Sequence, residues 1–203
     1  MKRSMQKFRQ DLAARVEGAD SLRWSAVAVT VGFVGLMALF VGGDAVTDPG
    51  GWVGIGGTAL WVLVVLGLSL LALTRPGAAM PVLAVAACAP LAFGVWSLVD
   101  YGAAHDWEDN HGPLSLVLVM SVCAPAAVAG LFRPRAAGWL ILTVSVVPLL
   151  LAAVGAASHF YEPLSLGLLL VPFVASGFLF LLSARHQGRL GLSASSPGKP
   201  VLH

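Results

Sequence analysis

Arg75-Pro76-Gly77-Ala78-Ala79 recurs as Arg133-Pro134-Arg135-Ala136-Ala137, and Pro90-Leu91 recurs as Pro148-Leu149 at the same offset of 58 residues. Pro113-Leu114-Ser115-Leu116 then returns as Pro163-Leu164-Ser165-Leu166 at an offset of 50. The stretch from Arg75 to Leu118 therefore comes round again between Arg133 and Leu168 with eight residues fewer. Each copy reads as a basic corner, an apolar run, a polar joint and a second apolar run. That is the pattern of a repeated helical hairpin, with its copy-specific insertion in the most polar part of the chain.

Working outward from the repeat, six apolar runs are each about 20 residues long, the length a helix needs to cross roughly 30 Å of hydrocarbon. They lie near Trp24 to Gly43, Trp52 to Thr74, Ala79 to Val99, Leu114 to Phe132, Gly138 to Ala157 and Leu164 to Ser183. The whole chain of 203 residues is 58% hydrophobic and 11% charged, with a mean hydropathy of +0.86. A soluble domain carries about 25% charge, so a soluble fold is excluded. The shorter alternating segments of a membrane β-barrel are missing too. The first run exceeds the 7 to 15 residues of a secretory signal core and five similar runs follow it, so it reads as a retained helix. The predicted fold class is an all-α integral membrane protein. Its six transmembrane helices form three consecutive hairpins, with the internal repeat in the second and third. Residues 1–23 make an N-terminal arm, 24–183 the six-helix domain, and 184–203 a Ser, Pro and Gly-rich flexible tail.

Charge sets the orientation. All twelve Lys and Arg residues lie in the arm, in the even-numbered loops (Arg75, Arg133, Arg135) or in the tail. Asp44, Asp48, Asp100, Asp106, Glu108, Asp109 and Glu162 fall in the odd-numbered loops. Positive charge is retained on the cytoplasmic side. The sequence thus predicts a multi-pass cell-membrane protein, of the bacterial inner-membrane kind, with both termini cytoplasmic. Its net charge of +2 hides this polarity. In the arm, Met5, Phe8, Leu12 and Val16 form one apolar stripe among basic residues. Such a segment suits an amphipathic helix on the anionic headgroups of the inner leaflet. The implied partners are the bilayer and those headgroups, with homo- and hetero-oligomeric assembly in the membrane both left open. Basic residues are dispersed and juxtamembrane, which argues against nucleic acid.

Chemistry is harder to find. No Walker loop, HExxH, CxxC or GxSxG occurs, and no ionisable side chain falls clearly within a run, where a coupled carrier places one. Cys88 and Cys123 sit mid-run and read as small buried hydrophobes. Pro90, Pro125, Pro148 and Pro172 lie inside runs, where each removes a backbone donor. The matched pair Pro90 and Pro148 predicts bends near Ala86 and Val144. A path for neutral solute would be lined by Ser121, Thr143 and Ser145.

One constellation of ligand-type side chains remains. His105, Asp106, Glu108, Asp109 and His111 concentrate in the inserted loop, and His159 lies in the next outer loop. Imidazole with carboxylate suits zinc, nickel or copper, and carboxylates alone suit calcium or magnesium. These six residues form the candidate divalent-cation site. Its binding would weaken as the pH falls and the imidazoles protonate. No other cofactor is implied. The sequence reading is a non-enzymatic accessory, sensing or structural membrane component, with a small-solute or cation permease as the alternative.

Overall fold

The computed structural model describes residues 2–47, 51–155 and 161–194, with side chains for 17–43, 55–110, 112–151, 154 and 167–187. Every element is helical, and there is no strand among the described residues. The chain runs through α1 (Lys2–Thr47), α2 (Gly51–Thr74), α3 (Pro76–Ala86), α4 (Cys88–Val99), α5 (Tyr101–His111), α6 (Leu114–Gly130), α7 (Pro134–Gly155) and α8 (Tyr161–Ala194). Five spans are long and apolar enough to cross a membrane. A sixth is made if α6 is counted with the bent α5 before it.

The packing order follows from which helices touch. A ring closes from α1 to α2, α3 with α4, α7, α8 and back to α1, and α6 stands inside it. Eleven of the 17 residues of α6 are buried, among them Met120, Cys123, Ala126 and Ala127. At 1.5 Å per residue α6 is about 25 Å long, shorter than the hydrocarbon layer. A helix encased by others is matched to its neighbours rather than to lipid. Its run of alanines fits that position, because small side chains let backbones approach where Leu on Leu gains little over Leu on lipid. By contrast α2 buries only Ala72 among its described side chains. Its Leu60, Leu63, Leu66 and Leu70 stand on the outside, as lipid-facing residues do.

Glycine appears where two backbones meet. A Cβ on Gly138 would lie 2.9 Å from the carbonyl oxygen of Gly177, and one on Gly94 would lie 3.0 Å from Cα of Pro148. These two contacts draw α7 onto α8 and α4 onto α7.

Proline acts unequally. The third span is interrupted by a one-residue turn at Ala87, three positions before Pro90, and the next bond, from Leu91 N to Ala87 O, is stretched to 3.4 Å. The helix ladder is therefore interrupted next to Ala86, where the sequence predicts a bend, although Pro76–Val99 still runs as one span. In contrast, α7 runs unbroken through Pro148. Pro90 and Pro148 are both buried, as are Ala87 and Ser145 three residues before them, and of the residues four positions earlier Ala86 is half-buried and Val144 buried.

The arm and the first run form one helix. At 46 residues α1 is about 69 Å long, so it extends well beyond the span Glu17–Gly43. The eight-residue insertion is also helical, as part of α5.

Candidate functional site

Two polar regions stand out in this apolar chain, a buried seam between α1 and α8 and the outlying helix α5. In the seam, Thr30 Oγ1 donates to Ser176 Oγ at 2.6 Å, and Ser176 Oγ donates to the carbonyl of Ala26 at 2.8 Å. Seven residues away on both helices the unit recurs. Arg23 Nε donates to Ser183 Oγ at 3.0 Å, and Ser183 Oγ donates to the carbonyl of Ala19 at 3.0 Å. Seven residues are close to two helical turns, so the antiparallel pair presents the same face twice. The helices are thereby locked in one register.

Arg23 extends the seam to a third helix, since its Nη1 donates to the carbonyl of Leu131 at 3.1 Å, just past the end of α6. A cation at a helix C-terminus meets the negative end of the macrodipole. Asp20 lies 3.5 Å from the same Nη1, while Nη2 is buried without a hydrogen-bond partner. Exposed Arg133 reaches the α2–α3 corner, with Nη2 3.6 Å from where a Cβ on Gly77 would stand. Arg23, Arg75 and Arg133 thus gather at one end of the bundle.

Removing one seam bond should cost little, because polar bonds between membrane helices average about 0.6 kcal/mol. A Thr30→Val variant is expected to lose about that much in chemical denaturation from mixed micelles. A loss of several kcal/mol would mean that the hydroxyl does more than join two helices.

At the opposite end, α5 lies at 81° to α6. Asp100 Oδ1 accepts from Ala103 N at 3.0 Å and caps the start of α5, as short polar side chains do. Gly112, with φ +88°, turns the chain out of it. Ala104 faces the bundle, Trp107 meets Trp96 edge to face at 6.4 Å, and Asp106 and Asp109 point to solvent.

The expected cation ligands are therefore distributed around a helix. His105 Nε2 lies 3.6 Å from Asp109 Oδ2 and its ring stacks on Tyr101. Glu108 turns the other way, and its Oε1 accepts from Ser115 N at 2.7 Å in the first turn of α6. Asp106 is exposed, and its carbonyl accepts from Asn110. Among the described residues no three His, Cys, Asp or Glu side chains gather as a metal site would require. The side chain of His111 and all of His159 lie outside the described residues.

The residues suggested for a solute path do not face one another. Ser121 accepts from Trp61 Nε1 at 2.7 Å, Ser145 sits 3.8 Å from Cys123, and Thr143 is exposed. Sequence reasoning had passed over Trp61, Thr30, Ser176 and Ser183. The signal that was available is the seven-residue spacing of Ser176 and Ser183, matched by Ala19 and Ala26. These features define an all-helical, polytopic bundle with a packed axis. No protein-family model matches the chain, and no curated protein or solved structure matches it either.

Proposed function

We propose that the chain is a non-enzymatic component of a bacterial inner membrane, with six spans and both termini cytoplasmic, serving as an accessory, sensing or structural subunit. The observation that carries this reading is the position of α6. A conduit needs a polar path along the bundle axis, and here that axis is filled by Met120, Cys123, Ala126 and Ala127. Binding energy in such a core goes into holding the helices in register, which serves a scaffold better than a carrier. The repeat supports the same reading, since Pro76 and Pro134 each open a helix at the basic end.

Single cysteines in a Cys-free background test both halves of the proposal in intact cells. One at Asp109 is expected to react with an impermeant maleimide, and one at Arg135 only after the membrane is opened. Cysteines at Val119, Ala124 and Ala127 on α6 are expected to stay unreactive even toward small permeant reagents. Labelling along one stripe of α6 would reveal a water-filled path and return the permease to first place. Labelling at Arg135 from outside would invert the topology.

A further inference from the structure

We propose that the two Arg-Pro corners at the basic end of the bundle form a site for the phosphate of an anionic phospholipid, held by Arg75 and Arg133 with Arg135 at its edge. Such a site presupposes the membrane-spanning fold and adds a bound partner to it. Arg75 precedes Pro76 at the start of α3, and Arg133 precedes Pro134 at the start of α7. The corners are 58 residues apart in sequence, yet they meet in the fold. Arg133 reaches over the first turn of α3, where its Nη2 lies 3.6 Å from the place of a Cβ on Gly77. Gly77 stands two residues from Arg75, so two guanidinium groups serve one patch.

Among the described residues, the side chains of Arg75, Arg133 and Arg135 are exposed and pair with no carboxylate. Arg23 is the contrast, being engaged by Ser183, the Leu131 carbonyl and Asp20. Cations gathered without a counter-charge repel one another, and a bound anion removes that repulsion. Depth selects a lipid as the source of the anion. Trp24 is exposed beside Arg23, and Trp139 is exposed one turn beyond Arg135. Tryptophan at span ends sits at the headgroup level, which sets the guanidinium groups against lipid phosphates rather than in bulk water. A guanidinium fork meets two phosphate oxygens at once, and basic pockets between membrane helices hold anionic headgroups in this way. A headgroup with its own ammonium would bring a further cation to the arginines. The favoured partner is therefore a phosphodiester without one, of the phosphatidylglycerol kind.

Native mass spectrometry of the full chain, released from neutral detergent micelles that hold phosphatidylglycerol or phosphatidylcholine, counts the lipid retained. One phosphatidylglycerol per chain is expected at lipid concentrations where phosphatidylcholine is not retained. Arg75→Gln and Arg133→Gln should each weaken retention about fivefold, the effect of one juxtamembrane charge. The triple variant that adds Arg135→Gln should lose more than either. A variant with Lys2, Arg3, Lys7 and Arg9 changed to Gln controls for diffuse basic charge, and it should keep the bound lipid. Inorganic phosphate should not displace that lipid, because it brings no acyl chains to the span. Equal retention of the two lipids, full retention by the triple variant, loss in the arm variant, or displacement by inorganic phosphate overturns the proposal. Micelles have no sides, so this outcome is separate from that of the topology, which cysteine labelling decides.

Discussion

Replacing Gly138 with alanine is expected to pry α7 from α8 and to cost the bundle about 1–3 kcal/mol, the range for forcing extra methyl groups into a packed core. The added Cβ would stand 2.9 Å from the carbonyl oxygen of Gly177. A backbone oxygen cannot rotate away, so the helices themselves must part. Gly177 makes the reciprocal contact, but its added Cβ would first meet Cγ of Leu142 at 2.7 Å, with the Gly138 oxygen at 3.2 Å. A leucine side chain can find another rotamer. Gly177→Ala should therefore be the milder change, and Gly177→Val as severe as Gly138→Ala. Gly32 supplies the control, because it is exposed and a Cβ there meets nothing within 4 Å. Gly32→Ala should leave thermal stability, followed as the monodisperse fraction after heating, within error of native. If Gly138→Ala matched that control, the close approach of α7 and α8 would be wrong.

Such glycines explain why the chain was legible at one level and silent at the next. Membrane spans announce themselves by length, since an apolar run of about 20 residues has few other uses. The proline at Pro90 announced a break because its chemistry forbids one specific bond. Nothing in composition, however, separates Gly138 and Gly177, which sit at a backbone crossing, from Gly32 and Gly67, which face outward. That distinction depends on which helix lies opposite. The same holds for α6, whose apolar run resembles the others and whose central place is set by tertiary packing.

The outer insertion shows a different limit. Its His, Asp and Glu residues suggest a ligand cluster when read as a loop, because loops let neighbours in sequence converge. As a helix it turns each residue by about 100° from the last. Glu108 and Asp106 consequently point to opposite sides, while the i, i+4 pair of His105 and Asp109 stays together. Four residues from Asp106 to Asn110 also allow the Asn side chain to bond back to the Asp106 carbonyl. Polar residues of this kind read as turn formers from sequence alone. Here the carboxylate of Asp100 caps the start of α5, and that of Glu108 accepts from Ser115 N in the first turn of α6.

The basic end of α6 gives the other large effect. Phe180 is fully buried, and a Cβ on Gly130 would fall 2.5 Å from Cε1 of its ring. Gly130 is thus the floor on which the ring rests, next to the Leu131 carbonyl that Arg23 holds. Phe180→Ala should open a cavity between α6 and α8 and cost about 3–5 kcal/mol. Gly130→Ala alone should cost about 1–3 kcal/mol, because the ring must tilt out of its place. Combining them removes the collision and lets the new methyl group fill part of the cavity. The double variant should therefore be less destabilised than the sum of its parts, by roughly 0.5–3 kcal/mol, the range for residues in direct contact. Equilibrium unfolding of all four proteins from mixed micelles closes the cycle. Strict additivity would show that Phe180 does not rest on Gly130, and would remove the steric argument that α8 clamps the end of α6.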